Sequence, residues 1–315
     1  MLLFATGGQL LSTDLRIFGP LYGNMEVKRL STREITPEGF IAEHWTPGLP
    51  LVFTDAAHVW KAHGTFSPDW FREHFGDRTT VVDGRTYAMK EIMDLVEGKD
   101  TSRPVPYPIK YHIPAQLPEL IDLITPINLG YAQPNWMESN WFARGNWGNA
   151  LELFIGGPGG KFPYVHLDYY HLSAWVTQLY GNKEFTVWPR GQERYLYPDP
   201  NDPWRSVIPD IEHVDLKKFP LYERATPIKF VVGPGETLFI PFGIWHTAKS
   251  LEPTISVAFD LLNGRNFPDF VKDVWGFRRN GNKVKAAAIT GYAVLAGSMC
   301  RIGDMMGVKR DSRRA

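Results

Sequence analysis

Apolar and polar positions alternate with two different periods along this chain, and the period changes near residue 150. From Glu26 to about Asp100 short helical and strand patterns are mixed. Ser31-Thr-Arg-Glu has capping-box spacing, and Thr36-Pro-Glu-Gly-Phe sets a proline where a first helical turn accepts one. Leu49-Pro-Leu-Val-Phe-Thr reads as a buried strand and Ser67-Pro-Asp-Trp-Phe-Arg-Glu-His-Phe as a capped helix. The spacing predicts two strands, 79–83 and 85–88, about a Gly84 turn. A helix over 89–97, a strand over 110–113 and a helix over 118–124 follow.

From Leu151 to Leu262 the pattern becomes a series of aromatic and β-branched runs broken by Gly and Pro. The runs are 151–155, 173–180, 184–188, 229–232, 237–240, 246–249 and 254–261. Many short strands so punctuated argue for a sandwich or barrel and against a parallel α/β sheet. Helical spacing returns over 270–277 and 283–300. The expected fold is mainly β: a double-stranded β-helix (a jelly-roll barrel) with N-terminal α+β decoration and C-terminal helices. The expected division is an N-terminal extension, 1–25, a catalytic domain, 26–265, with its barrel core at about 150–262, and a C-terminal helical segment, 266–315.

Composition narrows the function. The 315 residues are 43% apolar and 14% aromatic, ample for a large core. Thirty-four basic residues balance 34 acidic ones, so no global field draws nucleic acid or an anionic membrane. The tail residues Lys309, Arg310, Arg313 and Arg314 read as a solvated basic end. Cys300 is the single cysteine, which excludes an intrachain disulfide and a Cys-rich zinc site and suits a reducing compartment. The apolar start lacks the basic flank and cleavage site of a secretory signal. The longest apolar stretch, 286–300, reads as too short for a membrane span. A cytoplasmic protein with no membrane or nucleic-acid partner is expected.

Candidate chemistry sits in Phe162-Pro-Tyr-Val-His166-Leu-Asp168. In a strand, residues i and i+2 share a face, so His166 and Asp168 reach one point. His246, in Ile244-Trp-His-Thr, offers a third ligand from a distant strand. Two imidazoles and a carboxylate on one octahedral face match the triad of non-haem Fe(II) oxygenases; Zn²⁺ accepts the same donors, and a packed histidine is the bland reading. Farther on, Tyr180-Gly-Asn-Lys183 forms a hairpin turn. Lys183 either is solvated there or reaches into the barrel, where a buried ammonium requires an anion.

Together His166-Leu-Asp168, Gly181-Asn-Lys183, Gly233-Pro-Gly-Glu-Thr-Leu-Phe-Ile-Pro241 and Trp245-His246 resemble the jumonji-C, or cupin-like, hydroxylases. Gly48-Leu-Pro-Leu-Val-Phe, Trp60 and Phe71-Arg-Glu-His-Phe-Gly-Asp extend the similarity to the front of the chain. The resemblance implies a 2-oxoglutarate-dependent dioxygenase with His166, Asp168 and His246 as Fe(II) ligands. Lys183 and Tyr111 would bind the distal carboxylate of 2-oxoglutarate, and O₂ would be the oxidant. Three departures stand out. Pro163 replaces a Ser or Thr, Ala174 or Val176 replaces polar strand residues, and Ala258 replaces an Asn or Thr. Tyr164, Gln178 and Asp260 are candidates to compensate.

By the same resemblance the substrate is a protein or peptide side chain, hydroxylated at carbon; N-methyl removal by that hydroxylation is the less favoured outcome. A small metabolite and a non-catalytic binding protein are the alternatives. Trp136, Trp141, Trp147, Tyr169 and Tyr170 either shape the substrate mouth or plug the core. The tail presents Val284, Ala288, Ile289, Tyr292 and Leu295 either to a second copy, giving a homodimer, or to its own barrel.

Overall fold

The β-branched and aromatic runs beyond residue 150 pair into two packed sheets. The computed structural model describes residues 26–127, 130–143, 147 and 151–308. Its strands are β1 (Lys28–Leu30), β2 (Leu51–Phe53), β3 (Thr79–Val82), β4 (Arg85–Ala88), β5 (Ile109–His112), β6 (Glu152–Gly156) and β7 (Ser173–Tyr180). The remainder are β8 (Lys183–Trp188), β9 (Pro198–Asp199), β10 (Asp202–Ser206), β11 (Ile228–Val232), β12 (Thr237–Ile240), β13 (Trp245–Ser250) and β14 (Thr254–Leu261). One sheet runs β1-β2-β12-β7-β14-β6-β5 and a second β11-β8-β13, with β3–β4 and β9–β10 as separate hairpins. Only β1–β2 is parallel among these pairings. This is the jelly-roll core with flanking helices that the sequence predicts.

Strand alternation sorts side chains between the core and a cavity enclosed by the sheets. On β14, Ile255 and Val257 enter the main apolar core, while Ala258 and Asp260 line the cavity. On β7, Trp175 and Leu179 face that core, and Ala174 and Val176 face the cavity. Trp175 lies fully buried between Phe53 and Phe259, with ring centroids 5.8 and 6.1 Å away. Both faces are thus covered, which is why β7 is buried along nearly its whole length, the polar Ser173, Thr177 and Gln178 included.

The helices are α1 (Pro37–Phe40), α2 (Pro68–Phe75), α3 (Met89–Val96), α4 (Ile113–Gln116), α5 (Asn140–Ala143), α6 (Phe267–Arg278) and α7 (Lys283–Met305). Thr36 and Ser67 cap α1 and α2 by accepting from Gly39 and Trp70. Glu34 accepts from the Ser31 amide at 2.6 Å, but the chain makes a turn there and the Ser31 hydroxyl goes to Asp55. Pro118–Leu123 is a 3₁₀ segment, and the short β1 went unanticipated.

The C-terminal helix corrects one expectation. The apolar stretch 286–300 belongs to a 23-residue helix, α7, which by length and composition alone is long and apolar enough to cross a membrane. Ala293, Ala296 and Cys300 are buried against Phe270 and Val274 of α6. A Cβ on Gly297 would lie 2.1 Å from the Phe267 ring, so the two helices approach through glycine. The apolar face expected over the tail is split: Ile289 and Tyr292 pack inward, whereas Val284, Ala288 and Leu295 are exposed. The N-terminal extension, 1–25, and the basic residues 309–314 lie outside the described residues.

Candidate active site

Two backbone hydrogen bonds build the centre of the site. The His166 amide donates to the His246 carbonyl at 3.0 Å, and the His246 amide donates back at 2.9 Å. This isolated antiparallel bridge sets the two imidazoles side by side, centroids 4.3 Å apart. Phe162 stacks on the outer face of His166 at 4.4 Å. Asp168, two residues on, presents Oδ1 at 3.9 Å from His166 Nε2 and 3.8 Å from His246 Nε2. Ligand atoms of all three residues lie within 4.8 Å of one another, the one such histidine–carboxylate group among the described residues.

Protonation favours metal binding over an ordinary ion pair. His246 Nδ1 lies 2.9 Å from the Ile244 carbonyl. A carbonyl only accepts, so Nδ1 carries a proton, and Nε2 is the nitrogen turned toward Asp168. Burial pushes the His166 imidazole well below the usual histidine range, so it is neutral at physiological pH. Burial raises the Asp168 carboxyl, which its histidine neighbour only partly offsets. The buried His166 Nδ1 makes no hydrogen bond of normal geometry. A neutral His166, the Nε2 edge of His246 and a desolvated carboxylate converge on one point, and a divalent metal is the cation that such a donor set fits.

A cavity of about 480 Å³ opens from this triad. Lys183, on β8, lines it and is 3% exposed. Its Nζ donates to Ser256 Oγ at 3.0 Å, Ser256 donates to Gln178 Oε1, and Gln178 Nε2 is tied to the Tyr180 and Gly181 carbonyls. Burial alone pulls the Lys183 ammonium down to about 8, because no carboxylate among the described residues pairs with it. A buried ammonium bonded only to the Ser256 hydroxyl retains N–H groups to donate to an incoming carboxylate.

Tyr111 is not brought to the cavity. Alternation along β5 turns Ile109 and Tyr111 into the main core, where Tyr111 is fully buried and its hydroxyl lies 3.5 Å from the Arg78 carbonyl. The same alternation sends Lys110 to the cavity, 3.1 Å from Glu152 and over the Phe154 ring. Tyr107, just before β5, is instead among the tyrosines that line the cavity, with its hydroxyl on Ser250. A Cβ on Gly156 would lie 2.9 Å from the Tyr107 ring, so the glycine run Gly156-Gly-Pro-Gly-Gly160 was the available sequence signal.

The other sequence candidates divide. Tyr164 and Asp260 line the cavity beside Ala174, Val176 and Ala258, whereas Gln178 acts behind Lys183. Burial and the neighbouring Asp168 and Glu152 charges hold the Asp260 carboxyl well above its usual range. Of the five aromatic mouth residues, Trp147, Tyr169 and Tyr170 border the cavity and are joined there by Phe277 of α6. Trp136 instead is buried and donates to Asp304, and Trp141 lies on the surface, its carbonyl bonded by Tyr292.

Comparison with known proteins follows the same geometry. A family model described as a cupin-like domain matches residues 37–259. The chain is 29% identical over 171 residues to the 2-oxoglutarate and iron-dependent oxygenase JMJD4 of Gallus gallus, covering 54% of this chain and 39% of that protein. It is 23% identical over 276 residues to the arginine-specific demethylase JMJ20 of Arabidopsis thaliana, covering 76% and 58%. Against lysine-specific demethylase 8 of Danio rerio it is 26% identical over 240 residues, covering 70% and 55%. The chain therefore matches from 39% to 58% of the length of these three relatives.

Proposed function

Because this chain belongs to the cupin-like, jumonji-C-type family, we propose that it is an Fe(II)- and 2-oxoglutarate-dependent dioxygenase that hydroxylates a protein or peptide side chain. The observation that carries the reading is a single cavity lined both by the His166–Asp168–His246 cluster and by a buried lysine with no acidic partner among the described residues. His166, Asp168 and His246 would hold the metal. Bound there, Fe(II) supplies the redox chemistry by which 2-oxoglutarate, O₂ and a substrate C–H become succinate, CO₂ and C–OH.

The protein's own residues do the rest. Lys183 and the Tyr107 hydroxyl bind the distal carboxylate, and the Ser256–Gln178 relay fixes the lysine rotamer. Phe154, Phe185 and Val176 wall the co-substrate's methylene region and exclude water. Trp147, Tyr169, Tyr170 and Phe277 receive the substrate side chain at the mouth. Hydroxylation of an N-methyl carbon would give a hemiaminal whose C–N bond breaks to return N–H and release formaldehyde, and relatives named as demethylases support keeping that outcome open to test.

Succinate release from 2-oxoglutarate with Fe(II) and O₂, followed against a peptide library with mass spectrometry, tests the proposal. A peptide gaining one oxygen is the expected result. Absence of 2-oxoglutarate turnover under every metal and substrate condition would remove the enzyme reading and leave a cupin-like binding protein.

A further inference from the structure

Immediately after Asp168 the backbone enters a conformation that its side chains disfavour. Tyr170 (φ 58°, ψ 30°) and His171 (φ 53°) are consecutive non-glycine residues in the left-handed region. Left-handed non-glycine residues normally occur singly, and a bulky aromatic one persists only where its surroundings over-determine it.

Those surroundings come chiefly from α6, 102 residues away in the chain. His171 Nδ1 bonds the Asp273 carboxylate. Asn266, capping α6, donates from Nδ2 to the His171 carbonyl at 2.9 Å. Arg278, which ends α6, donates to the Tyr170 hydroxyl at 3.3 Å. Phe270 and Phe277 each hold the Tyr170 ring with centroids 5.9 Å apart. Phe277 also contacts Tyr169, and of these four rings all but Phe270 border the cavity.

We infer that Asp273 is a positioning residue for the metal-ligand segment, acting through His171. The carboxylate accepts from the imidazole Nδ1–H and clamps the strained Tyr170–His171 pair to α6. The clamp fixes where Asp168 presents its carboxylate and where Tyr169 and Tyr170 face the cavity. The inference rests on the metal reading above and extends it to a helix that contributes none of the three ligands.

The test is Mn(II) affinity of the full chain, by calorimetry, with melting temperature measured in parallel, for Asp273→Ala, Asp273→Asn, His171→Ala and His171→Gly. Asp273→Ala and His171→Ala should each weaken Mn(II) binding by roughly tenfold, the scale on which groups orienting a metal ligand act. Asp273→Asn, which retains an acceptor oxygen, should fall between Asp273→Ala and the unsubstituted chain. His171→Gly loses the clamp together with the left-handed strain, so it should bind Mn(II) more tightly than His171→Ala. Unchanged affinity in Asp273→Ala, or equal affinities for the Gly and Ala variants at position 171, would overturn the inference and leave the pair as a fastening for α6. Should Asp273→Ala fail to fold, the comparison at position 171 decides alone. An unsubstituted chain that takes up no Mn(II) overturns the metal reading itself, and the clamp with it.

Discussion

At the scale of single residues, the site is governed by which buried charges lack partners. His246 turns Nε2 toward Asp168, its ring held by the Nδ1 bond to the Ile244 carbonyl. His246→Ala should reduce 2-oxoglutarate turnover by roughly 100-fold or more, the upper end of what even indirect ligand damage costs. The fold should persist without metal, since the ring faces the cavity and the backbone bridge to His166 does not use the side chain; an active His246→Ala would refute the triad. Lys183 supplies a pH signature. Its ammonium titrates near 8 in the folded chain, against 10.5 when unfolded, so between those values the unfolded state binds more protons. Stability of the metal-free protein should therefore rise between pH 8 and 10.5, by about 3 kcal/mol at most. Lys183→Met should lack that rise in denaturant titrations. Affinity for 2-oxoglutarate should run the opposite way and fall above pH 8, because only the protonated lysine attracts the carboxylate. A pH-independent co-substrate affinity would remove Lys183 from the binding role.

At the scale of elements, alternation decides who faces the cavity. Tyr111 and Lys110 are neighbours on β5, yet one belongs to the core and the other to the cavity wall. Tyr107 stands before the strand, outside that alternation, and meets Ser250 across Gly156. Tyr107→Phe should raise the 2-oxoglutarate KM by about fivefold, one hydrogen bond's worth of about 1 kcal/mol, whereas Tyr111→Phe should leave it unaltered. Steady-state kinetics of the two variants distinguish the assignments. The helix pair makes a separate prediction. Gly297→Ala would drive a methyl group into the Phe267 ring and should cost about 1–3 kcal/mol in thermal unfolding. Because α6 also carries Phe277 to the mouth, the same variant should raise the KM for a peptide substrate. A Gly297→Ala protein with native stability would mean that the ring turns aside.

At the scale of the whole molecule, ligands that bind the folded site should stabilise it by mass action. Mn(II) with 2-oxoglutarate at about a hundred times its Kd should add about 2.7 kcal/mol, read as a raised melting temperature that a chelator reverses. The barrel was legible from the linear pattern because its strands are short, aromatic and β-branched, and each is bounded by Gly or Pro. His166-Leu-Asp168 was legible because a two-residue spacing has a fixed geometric meaning. Tyr111 was misplaced because spacing cannot say which face of β5 turns inward, and α7 was shortened because small residues in a helix resemble breaks. Along the chain itself lay the fold class, the three candidate ligands and the lysine. Only tertiary structure decided that His166 and His246 share one backbone bridge, that Lys183 is buried without an acid, and that α6 reaches back to hold the segment after Asp168. The physical reason is that local spacing sets the direction of a side chain from its own backbone, whereas burial and partnership depend on chain segments that meet only when the sheets close.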